Sequence, residues 1–410
     1  MLQKNPNNLS QYEEVKAFVH AQFLALQETE VLPLQDLVGR VLAEDVASPL
    51  SLPSWPQSAM DGYAFSSQAN NDFLPVVGCL YAGESPKQIP ANAAVRIMTG
   101  ALLPEGLDTV VPFEEAMVQS DSNADTESAE KLLKPAHLAL GRHVKPVGSD
   151  VKLGQVLLAK GHKLSTRDIG LIASVGIHQV KVVRKVRVAI LASGDELLVP
   201  GEAYSLGKTY DANSYQIAAL CASLPVEVVA CERLPDDVES VSKSLNDWSQ
   251  QVDVVLTLGG ASAGQKDFIK TVMASYDESW FWKLSMKPAK PFAMARQEKA
   301  AWILALPGNP LAAFMSFQLF AFEALLKLSG QTSWQRKSVN QILLSEMPAN
   351  SDKARWIQVL KTEQGVLPMP NVSASQLSVL SGASGFIRLL PNVDYHQDAL
   401  VEYWEYDCAK

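Results

Sequence analysis

The chain has 410 residues, 47% hydrophobic and 19% charged; this is the make-up of an ordinary folded protein, too long for one core, and about two to four domains are expected. Its formal charge of −9, from 35 Lys plus Arg against 44 Asp plus Glu, excludes nucleic acid or an anionic membrane as the main partner, since neither would be attracted overall. The four cysteines, Cys79, Cys221, Cys231 and Cys408, form no C-x-x-C pair and the six histidines no H-x-x-x-H, so neither zinc nor a disulfide framework is signalled and a reducing cytoplasm is expected.

The opening MLQKNPNNLSQYEEV lacks the apolar core of a secretion signal. Ser10 and Glu13 read as a capping box, and Val15, Phe18, Val19 and Leu26 then recur at helical spacing. A second short helical stretch is expected around 35–43, before Pro49, Pro53 and Pro56 mark a domain crossing. Residues 55–145 alternate β-type runs with turns and read as a small β-rich insert, its acidic stretch SDSNADTESAE (120–130) as a loop. A turn-rich connection (154–162), a helix capped by Ser165 and Gly176 at its C′ position return the chain to the first domain.

From Lys185 onward strand and helix alternate: VRVAILASG, a helix over 213–224, VEVVACERL, a helix after Asp236, DVVLTLGG, and AWILALPGNP before a long helix. The strands are apolar on both faces, as a largely parallel sheet covered by helices on each side requires. The apolar stretch 311–328 contains Ser316, Gln318, Glu323 and Lys327 and reads as a buried helix rather than a membrane span. The tail, 335–410, alternates in RWIQV and ALVEYWEY, which suits a small β-barrel or open sheet.

The stretch DVVLTLGGASAGQKDFI (253–269) joins a buried strand to a glycine-rich turn and a helix start. Gly259, Gly260 and Gly264 allow positive φ and close backbone approach, Ser262 adds a hydroxyl, and the helix start adds a favourable dipole, so the stretch reads as a phosphate cradle or, equally, as a tight connection without a ligand. Asp267 beyond it suits a metal bridging phosphate oxygens. Lys283, Lys287 and Lys290 gather positive charge on a loop stiffened by Pro288 and Pro291. In ALPGNP, Asn309 suits an N-cap and Pro310 position N1. Asp195 and Glu196 follow a strand end, whereas Asp236 and Asp237 most simply cap a helix. Asp61 in PQSAMDGYAF, and Thr99 with Gly100 in RIMTGALLPEG, read as turns or as side chains held at a turn. Together these features suit a phosphorylated, dianionic ligand with a divalent metal.

The motifs SAMDGYAF, RIMTGALLPEG, ILASGDEL, LGGASAGQKDF, KPAKPF and LALPGNP, in that order, give the chain a resemblance to the MoeA family, the molybdopterin molybdenumtransferases, related to the gephyrin E domain. The resemblance covers nearly the whole chain. It implies an elongated homodimer of L-shaped subunits in the multidomain α/β plus β class. The domains would be a discontinuous N-terminal and linker domain (1–52 and 146–182), the small β-rich insert (53–145), a MogA-like three-layer αβα molybdopterin-binding domain (183–332) and a C-terminal β-barrel-like domain (333–410). The implied reaction is insertion of molybdate into adenylylated molybdopterin with release of AMP, aided by Mg²⁺.

Residues carry over where the motifs match. Asp61, Thr99, Asp150, Glu196 and Asp267 take the catalytic positions, with Glu196 and Asp267 as metal ligands. Gly259, Gly260, Ser262, Gly264, Lys287, Lys290, Pro307, Gly308, Asn309 and Pro310 match the substrate pocket. Asp61 and Thr99 would face the partner subunit's site. A MogA-type adenylyltransferase and cofactor-accepting proteins are the implied partners. Three departures stand out: Lys145, Pro146 and Val147 replace an arginine-rich run, with Arg142 as an alternative guanidinium; Leu258 replaces a hydroxyl; and Ser373, Ala374, Ser375 stand at a Gly-Ser element. They leave room for a pterin-binding or scaffold paralogue with altered turnover.

Overall fold

The computed structural model describes residues 9–85, 87–120, 130–135, 139–259, 268–370, 373 and 375–406. The chain divides into two compact units, one of 1–44, 160–166 and 179–410, the other of 45–159 and 167–178.

The smaller unit is built on a six-stranded sheet in the order Thr109–Pro112, Gly62–Phe65, Ala94–Ile97, Phe73–Leu80, Glu130–Leu133, Val118–Ser120. Successive residues of one strand serve opposite faces, so Tyr63 and Phe65 enter one core with Leu74, Val111 and Leu132, while Ala64 enters another with Leu80, Ile97 and Val110. Both faces are covered, which is why runs such as GYAF and TVVP are buried throughout. The acidic stretch of the β-rich insert falls almost wholly on 121–129, outside the described residues.

In the larger unit the first helix, α1 (Tyr12–Gln22), buries Tyr12, Val15 and Val19. The capping box expected at its start is not made: Gln11 is the N-cap and no side chain caps it. Ser10 is extended instead and bridges Leu284, with Ser10 N–H on Lys283 O at 2.9 Å and Ser285 N–H on Ser10 O at 3.0 Å. A pair of backbone bonds to a distant strand outweighs one local side-chain cap. The second short helix is also corrected. Only a single turn, Leu34–Asp36, is helical, and Val41–Leu42 is a strand pairing with Gln179–Val183, which in turn pairs with Thr29–Pro33. Val41 and Leu42 are both buried, and pairing satisfies their backbone groups.

The α/β part holds a six-stranded sheet. Its strands are β1 (Val186–Ser193), β2 (Val226–Leu234), β3 (Val254–Leu258), β4 (Glu278–Lys283), β5 (Pro291–Arg296) and β6 (Trp302–Leu306), in the order β2-β1-β3-β6-β5-β4. The first four in that order are parallel; β5 runs antiparallel to β6, and β4, antiparallel to β5, runs with the first four. Helices cover both faces: α2 (Asn213–Ala222), α3 (Val238–Ser249), α4 (Phe268–Met273) and α5 (Pro310–Leu328), the last with a π-helical segment Phe317–Ala321. Val188, Ile190 and Ala192 pack with α1, α2 and α5, and Ala189 and Leu191 pack with α3 and α4. That is the expected αβα sandwich. Every residue of β3 and β6 is buried, and at about 1.5–3 kcal/mol for each large apolar side chain a slip in register is heavily penalised.

Helix α5 is long and apolar enough to cross a membrane, yet 94% of its apolar window is buried inside the protein, in agreement with the core-helix reading. The C-terminal sheet runs Met286–Lys287, Ala354–Lys361, Gly385–Leu389, Leu400–Glu405, Val339–Ile342, with Val366–Pro368 on the far side of Ala354–Lys361. A bridge from Leu343 to Val366, with Leu344 N–H on Val366 O at 3.0 Å, curls this sheet into the barrel-like form expected. Leu343, Val359, Ile387, Val401 and Tyr403 fill it.

Candidate active site

Parallel strands deliver their carboxyl ends to one edge, and here the register is in step: Ala192 pairs Leu258, Leu258 pairs Leu306, and Ser193 pairs Leu234. Because β5 runs the other way, its first residue, Pro291, arrives at the same edge and pairs with Lys283, the last residue of β4. The segments 194–196, 235–237, 283–290 and 307–310, together with Gly259, therefore all leave the sheet at one rim. This is where open α/β sheets place their ligands.

The turns touch one another. A Cβ on Gly308 would lie 3.8 Å from Gly259 Cα, and one on Gly259 would lie 3.4 Å from Ser193 Oγ. Gly259 has φ +104°, a conformation that favours glycine, and its N–H bonds Leu306 O at 3.1 Å. Gly194 lets the exposed Glu196 carboxylate fold back over the turn, since a Cβ there would stand 2.8 Å from Glu196 Oε2. Gly260, Ser262, Gly264 and Asp267 lie outside the described residues.

Lys287 and Lys290 are exposed, and none of the described residues forms an ion pair or hydrogen bond with either ammonium. Their loop is nonetheless pinned: Met286 is buried, Met286–Lys287 pairs with Ala354 and Arg355, and Leu284 N–H bonds Lys290 O at 2.7 Å. A held backbone with free ammonium heads is suited to an anion. Pro307 is buried and Pro310 occupies the first turn of α5. Asn309 has the extended N-cap backbone expected, but its side chain makes no cap bond and is exposed at the rim.

Asp236 and Asp237 differ in role. Asp237 caps α3, accepting from Ser240 N–H at 2.8 Å, and that bond holds its carboxyl below the usual carboxylate range. Asp236 instead turns to the rim: Asp236 N–H bonds Asp195 Oδ1 at 3.2 Å, and Asp195 N–H bonds Asp236 Oδ2 at 3.4 Å. Reading both as caps missed this. The signal was present in the sequence, because Asp236 directly follows a strand end in a parallel sheet. Asn213 was also passed over as a plain helix residue, yet its Nδ2 donates to Gly308 O at 2.7 Å. Asp195, Glu196 and Asp236 bring carboxylates to this rim singly, and Mg²⁺ needs only one or two of them, its remaining positions being filled by water and phosphate oxygens. Among the described residues, no group of three or more His, Cys, Asp or Glu forms a ready-made cage.

In the smaller unit, Asp61 and Thr99 are brought together. Gly62 pairs Ile97, so Asp61 and Thr99 leave neighbouring strand ends, and Asp61 Oδ1 accepts from Thr99 N–H at 2.6 Å and Thr99 Oγ1–H at 2.8 Å. These bonds hold the exposed Asp61 carboxyl below its ordinary range, the backbone bond contributing most. Only glycine fits at 62, as a Cβ would stand 2.0 Å from Val111 O. Asp150 is exposed, with its N–H on Leu52 O at 3.0 Å and no side-chain partner among the described residues. Arg142, the alternative guanidinium, is already engaged by Glu115 at 2.8 Å.

Comparison with known proteins covers most of the chain. Residues 10–176 match the MoeA N-terminal region (domain I and II), and 189–327 match a probable molybdopterin binding domain. Molybdopterin molybdenumtransferase of Haemophilus influenzae is 38% identical over 312 residues, 75% of each chain. Molybdopterin molybdenumtransferase 2 of Mycobacterium tuberculosis is 29% identical over 378 residues, 88% of this chain and 91% of that one. The crystal structure of a molybdopterin biosynthesis moeA protein from Pyrococcus horikoshii superposes with a TM-score of 0.81 at 25% identity, covering 97% of this chain and 100% of that one.

Proposed function

The chain belongs to the molybdopterin molybdenumtransferase family, and from that premise we propose that it works in molybdenum cofactor biosynthesis, inserting molybdate into adenylylated molybdopterin with release of AMP. The observation that carries the reading is the meeting at one rim of two lysines unpaired among the described residues, an exposed glutamate and two glycine turns. Lys287 and Lys290 neutralise the phosphate oxygens of the bound anhydride. Gly259 and Gly308 let the backbone approach the ligand without a Cβ in the way. By their match to the family motifs, Asp61, oriented by Thr99, and Asp150 are assigned catalytic roles in the same reaction.

Breaking a phosphoanhydride is chiefly a matter of positioning and charge neutralisation. Water attacks one phosphorus of the anhydride as the bridging P–O bond breaks, giving AMP and the pterin monophosphate, and the two dithiolene thiols bind the metal oxyanion, which is substrate here, by displacing one of its oxo groups as water. Glu196, with Asp267, would hold Mg²⁺, and that ion would withdraw charge from the oxygens of the bond being broken. A homodimer in the cytoplasm, fed by a MogA-type adenylyltransferase and serving cofactor-accepting proteins, completes the proposal.

The test is incubation of the purified protein with adenylylated molybdopterin, Mg²⁺ and molybdate while AMP is followed by chromatography. AMP that appears in step with molybdenum-loaded pterin is the expected result. Ligand consumed by neither the parent chain nor a variant would remove the reading.

A further inference from the structure

Asn213 opens α2 at the rim, and the roles assigned above leave half of its amide unused. Its Nδ2 donates to Gly308 O at 2.7 Å, tying α2 to the turn 307–310. That bond also fixes which way the amide faces, because the flipped form would set Oδ1 against a carbonyl, acceptor against acceptor. Oδ1 is therefore turned away from Gly308. It is buried, and none of the described residues donates to it.

Folded proteins pair nearly all of their buried acceptors, so an unpaired one at a ligand rim points to a missing donor. Three nearby backbone N–H groups are committed elsewhere. Ser214 N–H is committed to Asp211 Oδ1 at 3.0 Å, Gln216 N–H to Ala212 O at 3.0 Å, and Ala313 N–H to Asn309 O at 2.8 Å. Gly308 itself packs beside Gly259, so Asn213 stands next to both turns credited with backbone approach to the ligand.

Resting on the reading of this rim as the substrate site, we infer that Asn213 is a further substrate-binding residue: Oδ1 accepts a hydrogen bond from the adenylylated pterin while Nδ2 holds the Gly308 carbonyl. The donor must be an N–H or O–H. Ionised phosphates offer only acceptors, and those fall to the lysine loop. Two parts of the ligand carry suitable donors, the pterin ring with its amide and amine, and the nucleotide with its adenine amine and ribose hydroxyls.

Asn213→Ala removes both halves of the amide, and Asn213→Leu does so while keeping the side-chain volume should alanine loosen α2. Affinities of the full-length parent and variants for AMP and for a pterin monophosphate are measured by calorimetry, alongside kcat and KM for AMP release. The expected result is a weakening of at least about tenfold, or about 1.4 kcal/mol, for one of the two probes, with the other within about twofold and KM rising in parallel. Which probe weakens identifies the donor. Equal weakening of both probes would show that Asn213 acts only through the turn, and no weakening of either would show no contact; each overturns the inference while leaving the rim as substrate site. A parent that binds neither probe removes the substrate-site reading as well.

Discussion

At the scale of single residues, charge decides most of what this protein does in a background of net −9. Lys287 and Lys290 have no competing carboxylate among the described residues, so their full charge is available to a ligand. A hydrogen bond to a charged group contributes about 1.5–3 kcal/mol, and each alanine replacement should weaken nucleotide or pterin-phosphate binding by roughly one to two decades. Calorimetry at two salt concentrations checks this, since a solvated surface lysine would change neither value. His20 is one of the residues that couple stability to pH. It is 6% exposed, and burial first, then the ammonium groups of Lys16 and Lys327, lower its pKa to about 4. Its Nε2 lies 3.4 Å from Glu323 Oε2, while Lys16 at 2.9 Å and Arg336 N–H at 3.0 Å both donate to the other oxygen, Oε1; burial and the two ammonium groups outweigh that carboxylate and hold the imidazole neutral near pH 7. The unfolded chain takes up this proton at a higher pH than the folded one. The stability linked to His20 is thus complete above pH ~6.5 and is lost as pH falls from there to about 4. Urea titrations at pH 7.5 and 5 should differ less for His20→Gln than for the parent, and equal differences would clear His20 of the effect.

At the scale of elements, the sharpest constraint is the close approach of strands in the smaller unit. Gly62 faces Val111 with no room for a Cβ, the contact being 2.0 Å to a backbone oxygen that no side-chain rotation can relieve. Gly62→Ala should therefore push apart the pairing of Gly62–Phe65 with Thr109–Pro112 and shift Asp61, the next residue, away from Thr99. Hydrogen exchange is expected to lose protection across these two strands, with the α/β sheet unaffected. Unchanged protection at Val111 and Pro112's neighbours would count against the geometry. Gly194 and Gly259 answer to a different demand, a positive φ at a strand-to-loop turn, where alanine strains the backbone rather than colliding with a neighbouring strand.

At the scale of the whole molecule, two units each carry their own cores: one around the αβα sandwich and C-terminal barrel, the other around the six-stranded sheet of residues 62–133. Separate cores favour separate melting. Scanning calorimetry should resolve two transitions, and Gly62→Ala should move only one of them. A single transition whose calorimetric and van't Hoff enthalpies agree, in both the parent and the variant, would show that the units unfold as one.

The sequence by itself determined those features whose cause is local or repetitive. The αβα layers could be read because strands buried on two faces are apolar at nearly every position, as in VVLTL and WILAL. Asp237 as a helix cap, and the alternation of the tail, rest on the same short-range logic. Six ordered motifs pointed to the family because they are spread over most of the chain. Only the tertiary structure decided the rest. Ser10 exchanges its capping role for a bridge to Leu284, Val41–Leu42 becomes strand because Gln179–Val183 lies beside it, and Leu343 curls the barrel by meeting Val366. Asp236 joins Asp195, and Asn213 joins Gly308, through contacts between segments far apart in the chain. Periodicity reports which face of an element is buried, but it carries no information about which distant backbone group arrives to take a hydrogen bond, and that is what settled these residues.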